Sequence, residues 1–150
     1  MENSLDEALL ESWLQLSVQL NNARIVSKMP FNTALICNLL WNARQNGEEG
    51  LSQTELVRRT GMDKSLMSRT LRNMEKEGYI LRSPSAENRH VTMVRLNPEE
   101  MTHFEQEHCH SLEVVAKLRK EVGEENGERV LEVFRMVAAA AGRALGRCDD

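Results

Sequence analysis

No apolar run in the 150-residue chain approaches the length of a membrane span. The N-terminus lacks the basic region followed by an apolar one that marks a secretory leader. These absences predict a cytoplasmic protein with no membrane partner. The three cysteines, Cys37, Cys109 and Cys148, are odd in number and widely spaced, which gives no disulfide framework. No nucleophile–base motif, phosphate loop or dinucleotide fingerprint occurs, so neither an enzyme nor a cofactor is expected. Internal repeats and low-complexity segments are also missing. What remains is an ordinary composition, 41% hydrophobic and 28% charged, in a length that suits one domain with a substantial core.

The most informative stretch is 52–96, which reads as two short helices joined by a tight turn, then a two-stranded hairpin with a basic tip. Ser52 and Glu55 form a capping-box pattern, in which the hydroxyl accepts from an early helical N–H and the carboxylate reaches back to the cap. Gly61 stops this helix in the left-handed conformation, and Asp63 caps the next. Two caps so close together predict a helix-turn-helix. In the second helix, about 64–77, Met67, Thr70, Leu71 and Met74 share a core face. Ser65, Arg69, Arg72 and Lys76 share the opposite face, with Ser68 and Asn73 at its edges. Gly78 ends the helix. Tyr79, Ile80 and Leu81 then read as a strand, and Val91, Met93, Val94 and Leu96 as its return partner. The loop between them, 83–90, is polar and carries Pro84 and Arg89.

Arginine can bond guanine bidentately, asparagine can bond adenine, and serine can reach base edges or phosphate. On an isolated helix such a face reads first as solvated surface. A basic hairpin beside a helix-turn-helix changes that, because it forms a wing that reaches the flanking backbone or minor groove while the helix enters the major groove. The net charge of −4 has the wrong sign for DNA, but its distribution does not. Residues 58–95 hold nine Lys/Arg against four Asp/Glu, whereas 1–57 hold three against seven and 96–150 seven against twelve. Positive charge is concentrated where phosphate contacts are needed.

The runs D-K-S-L-M-S-R-T-L-R-N-M-E-K-E-G-Y-I at 63–80 and E-N-R-H-V-T-M-V-R-L-N-P-E-E at 87–100 resemble the winged-helix core of the MarR family of bacterial transcription regulators. The likeness covers 52–100, and the helical flanks fit it. It implies a mainly α fold with a small β-hairpin wing. The whole of 1–150 would be one MarR-like domain, with a DNA-binding core at 32–97 and dimerisation helices at 1–31 and 98–150. It also implies a homodimeric repressor on a near-palindromic double-stranded operator, released by a small aromatic or phenolic effector. The DNA-contacting set is then Ser52, Gln53, Thr54, Lys64, Ser65, Ser68, Arg69, Arg72, Asn73, Lys76, Asn88, Arg89 and His90. Trp13, Phe31 and His108 are the candidates for an effector pocket. The family carries Asp-x-Arg in its wing; here Glu87 stands before Arg89 and can pair with it. Where the family often has a small residue, Leu66 either touches a thymine methyl or packs inward.

The remaining chain reads as helices. The first, 4–27, has Ser4 as its cap and Leu5, Leu9, Trp13, Leu16 and Leu20 as one stripe. Leu10 and Leu14 widen this beyond a surface helix, and the excess is buried either against a second subunit or within one. After Met29-Pro30, a helix over 32–45 has Leu35, Ile36, Leu39, Leu40 and Ala43 as its core set, with Trp41 and Cys37 pointing elsewhere. Residues 46–50 are a loop. Asn97-Pro98-Glu99-Glu100 starts a helix that runs to about Val122, with Met101, Phe104, His108, Leu112, Val115 and Val122 on one face. A last helix, about 128–146, is apolar along Val130, Leu131, Phe134, Val137, Ala138, Ala141 and Leu145.

Other residues of the chain offer other chemistries. His103, Glu107 and His110 share a helix face at a spacing that can supply metal ligands, with Cys109 turned away by about 100°. No second ligand cluster accompanies them, so a solvated polar face is the competing reading and no metal is assigned. A redox switch needs an accessible, activated thiol. Cys37 lies among apolar residues, and Cys148 beside Arg147 in a tail. A winged-helix interaction module without DNA binding is the alternative from another class, and Arg69, Arg72 and Arg89 argue against it.

Overall fold

The computed structural model describes residues 2–26 and 28–144. Six helices and a small sheet follow one another along the chain. They are α1 (Glu2–Asn22), α2 (Phe31–Gln45), β1 (Leu51–Ser52), α3 (Gln53–Thr60), α4 (Lys64–Lys76), β2 (Ile80–Pro84), β3 (Thr92–Leu96), α5 (Met101–Val122) and α6 (Gly127–Ala144). The fold is mainly helical with a winged helix-turn-helix at its centre.

The core belongs to the middle of the chain. Ile36, Cys37, Leu40 and Ala43 of α2 meet Leu56 of α3 and Met67, Leu71 and Met74 of α4. Leu51, Ile80, Val94 and Leu96 close the layer from the sheet side. Each fully buried side chain of this size contributes about 1.5–3 kcal/mol. The caps are those the sequence specifies. Ser52 accepts from the Glu55 N–H at 3.1 Å, Gly61 ends α3 at φ 76°, and Asp63 accepts from the Leu66 N–H at 2.7 Å.

The expected two-stranded hairpin is one edge of a three-stranded antiparallel sheet, in the order β1-β3-β2. Leu51 faces Val94, and the β2–β3 register runs from Ile80↔Leu96 to Pro84↔Thr92. A two-residue strand carries too short a pattern to read. It is possible because Gly50 has no side chain, since a Cβ there would collide with the Val94 carbonyl.

Several local expectations are corrected. Ser4 lies inside α1 and does not cap it, and α1 ends at Asn22, where Arg24 turns the chain at φ 49°. Leu35 is exposed, and Cys37 does not point elsewhere but is 1% exposed in the core. A single 3-10 turn at 98–100 precedes α5, capped by Asn97, which accepts from the Glu99 N–H at 3.2 Å. On α5, Met101, Phe104 and His108 are half-buried, while Leu112, Val115 and Val122 are exposed. Leu145 and Cys148 lie outside the described residues. Apart from the half-buried Leu20, the apolar stripe of α1 stays exposed, Trp13 at 53%, as do Leu131 and Phe134 of α6. Burial of the α1 stripe within one chain is therefore excluded.

Candidate nucleic-acid interface

α4 carries the candidate interface because its two faces are chemically opposite. Met67, Leu71 and Met74 are at most 1% exposed and anchor one side. Lys64, Ser65, Arg69, Arg72, Asn73 and Lys76 are exposed on the other, and Ser68 is half-buried at its edge. Thr70 is half-buried rather than fully in the core. Leu66 is partly buried against the core, which settles its orientation as inward.

The wing stands beside this face. At its tip the His90 N–H donates to Asn88 Oδ1 at 3.0 Å, and the Glu87 N–H donates to Ser85 Oγ at 3.3 Å. Ser85 and Val91 close the loop through a backbone bond of 2.8 Å. The expected Glu87–Arg89 pair does not form. No ion pair between them exists among the described residues, and these short hydrogen bonds shape the tip instead. Arg89 and His90 are exposed. Gln53 and Thr54 at the start of α3, Lys64 at the start of α4, and His90 of the wing line one open groove with Val57, Val91 and Thr92. Four of the expected DNA-contacting residues are thus brought together from three separate elements. Ser52 is different, because it is half-buried and its hydroxyl serves the α3 cap.

Not every cation is available. Glu55 does not reach back to its cap, as a full capping box would require. Its carboxylate takes Arg58 Nε at 3.0 Å and Arg59 Nε at 2.7 Å, and these two hydrogen bonds hold its pKa down at about 2. Arg82 of β2 bonds both carboxylate oxygens of Glu75 on α4, at 3.1 and 3.2 Å, and lowers the pKa of Glu75. Lys64, Arg69, Arg72, Lys76, Arg89 and Arg95 enter no ion pair among the described residues. Cations on the outward face of α4 and at the wing are therefore free to meet phosphate or bases. The Glu55 clamp follows i,i+3 and i,i+4 helix spacing and was readable in sequence. The Arg82–Glu75 link crosses a turn and needed the sheet register.

A second feature is an apolar cleft of about 510 Å³ between α2, α5 and the connection after α1. Phe31 and His108 line it, as expected, with Phe104, Leu35 and Leu112. Trp13 does not, because it lies on the exposed surface of α1. Trp41, expected to point elsewhere, packs behind the cleft at a tilt of 45°, with ring centroids 5.3 Å from Phe104 and 5.7 Å from His108. The His103–Glu107–His110 face is engaged in other contacts. His110 Nε2 lies 3.1 Å from the Arg24 carbonyl, Glu107 pairs with Lys28 at 3.3 Å, and no group of three ligating side chains occurs among the described residues. Burial raises the Cys37 thiol to about 12, which leaves it protonated and unreactive. No described helix is long and apolar enough to cross a membrane.

Residues 39–89 match the family model of the MarR family. No curated protein matches the sequence. Among solved structures, the fold resembles the PcaV transcriptional regulator from Streptomyces coelicolor in complex with its natural ligand. The TM-score is 0.71 at 17% identity, covering 89% of this chain and 91% of that one. A probable transcriptional regulator from Pseudomonas aeruginosa superimposes at TM-score 0.70 and 16% identity, over 88% and 95%. MarR itself gives 0.54 at 20% identity, over 95% and 97%.

Proposed function

Residues 39–89 match the MarR family model, and on that premise we propose that the protein is a cytoplasmic, homodimeric, sequence-specific DNA-binding repressor released by a small aromatic or phenolic effector. The observation that carries the DNA-binding reading is the exposed, acid-free centre of the α4 face. There Ser65, Arg69, Arg72 and Lys76 stand unpaired on a helix whose opposite side is locked in the core. Arg69 reads a base and Arg89 of the wing holds phosphate. The exposed apolar residues of α1 and α6 support a second copy as their partner. Two-fold symmetry then sets two α4 helices into successive major grooves of a near-palindromic site.

Release follows if a ligand in the cleft prefers a conformation in which the two α4 helices no longer match the groove spacing. A ligand with equal affinity for both states would shift nothing. The ligand held by the similar PcaV regulator supports an effector-responsive reading here.

The test is selection of duplexes from a random pool by the purified protein, followed by salt titration of the winners. The expected result is an inverted repeat with half-sites about one helical turn apart and a steep negative salt slope. A pool that returns no repeat, or binding that ignores salt, overturns the proposal.

A further inference from the structure

The chemistry of the cleft restricts the ligand beyond its being ring-containing. Its volume, about 510 Å³, suits a small organic molecule. Phe31 and Phe104 present rings, and the His108 imidazole stacks on Phe104 at a tilt of 20°. No Lys or Arg lines the cleft among the described residues, whereas Glu107 does. Glu107 is only 14% exposed, and its charge is met at 3.3 Å by Lys28, which is 60% exposed. The carboxylate is thus held in the wall, while the ammonium that balances it sits on a largely solvated stem. Ser111, also on the wall, already donates its hydroxyl to the Ile25 carbonyl.

Building on the effector reading above, we propose that this cleft selects aromatic cations, with the ligand ammonium displacing Lys28 at Glu107 and the ring seated against the phenyl groups. Aromatic faces and a half-buried carboxylate both attract a cation. An aromatic carboxylate would have to draw Lys28 away from Glu107, because no lysine or arginine lines the cleft among the described residues, and would leave the Glu107 carboxylate without that partner. Displacement also frees Lys28, on the connection leading out of α1, from its tie to α5, so occupancy is felt at the first helix.

Three probes with one ring system separate the outcomes: 2-naphthylmethylammonium, 2-naphthalenemethanol and 2-naphthoate, titrated calorimetrically into the intact protein. The ammonium should bind at least tenfold tighter than the alcohol, and the carboxylate weakest. In Glu107→Gln the ammonium should fall to within about threefold of the alcohol, whose own affinity, unchanged, reports an intact cleft. In Lys28→Ala, which removes the competing cation, the ammonium should gain several-fold. Carboxylate binding as tight as the ammonium, or no gain in Lys28→Ala, overturns the charge assignment and leaves the cleft as an effector site. A preference for the ammonium that survives in Glu107→Gln does the same. Failure of all three probes to bind overturns the effector reading together with this one.

Discussion

The winged core and the terminal helices are built to different degrees of completion. In the core, thirteen apolar side chains from α2, α3, α4, the sheet and the connection at Met62 cover one another within one chain. In α1 and α6 no described side chain is buried, and large residues such as Leu14 and Phe134 are more than half exposed. Composition does not explain this, since α1 and α6 are richer in apolar residues than α3 and α4. The difference is topological. The core helices are short and joined by turns that fold them onto one another, whereas the terminal helices are long and have no described neighbour along most of their length. The first region is closed by itself and the second is open.

The comparison breaks most visibly in the core. Leu71→Ala removes a fully buried side chain and should cost about 2–5 kcal/mol in denaturant unfolding. A loss below 1 kcal/mol would mean that the core is not closed. Next comes the open region. Phe134→Glu, at a residue 55% exposed in one chain, should weaken self-association at least about a hundredfold, or about 2.7 kcal/mol. Light scattering at micromolar concentration should give a wild-type dimer and a variant monomer. A wild type already monomeric there would remove the reason for the open face.

The DNA face sharpens the comparison on the core side. Arg69→Lys keeps the charge but loses the planar fork that bonds guanine twice. It should therefore lose about 1–3 kcal/mol of discrimination at one position per half-site. Operators substituted one base pair at a time will check this, and an equal loss on a random duplex would make Arg69 a phosphate contact. Ser65 and Ser68 should show smaller effects. Arg89→Ala should weaken binding to all sequences and lower the log–log salt slope by about one per subunit. Altered sequence preference with an unchanged slope would contradict that role.

The smallest effect is a pH dependence. Glu55 has a folded pKa of about 2 against an ordinary 4.5, set by its hydrogen bonds from Arg58 and Arg59. A depressed carboxylate pKa contributes stability that is present above the unfolded value and lost as pH falls toward the folded one. Denaturation midpoints of wild type and Glu55→Gln should therefore differ by a constant amount from pH 7 to about 5 and converge below about 4.5. A gap unchanged down to pH 3 would show that the clamp does not titrate as its geometry requires.

The central unit was legible in the sequence because its information is local. Ser52, Gly61 and Asp63 announce helix ends within a few residues of where they act, and the 100° periodicity of α4 separates Met67 from Arg69 without knowledge of the rest of the fold. What was illegible depends on distant partners. β1 exists only because Val94 lies opposite Leu51. Cys37 and Trp41 point where α5 and the sheet happen to pack. Glu75 finds Arg82 across a turn, and Glu107 finds Lys28 on another helix's exit. The resemblance and its apolar character place Trp13 at the cleft, but neither can tell an exposed stripe from a wall. Ser4 fitted the rule for a cap, but the helix began two residues earlier.

Asn97 has a mechanical consequence. Its backbone N–H donates to Tyr79, its Nδ2 donates to the Gly78 carbonyl at 2.9 Å, and its Oδ1 caps the turn that leads into α5. One residue therefore pins the end of the α4 helix, the root of the wing and the base of a long helix at a single joint with no slack. At about 1.5 Å per residue, α5 is an arm of about 33 Å. A tilt of about 5° about its base would carry its far end through about 3 Å, roughly two residues of helical rise. A joint that transmitted such a tilt rigidly would turn α4 by the same small angle. Angle and distance are interchangeable at this joint.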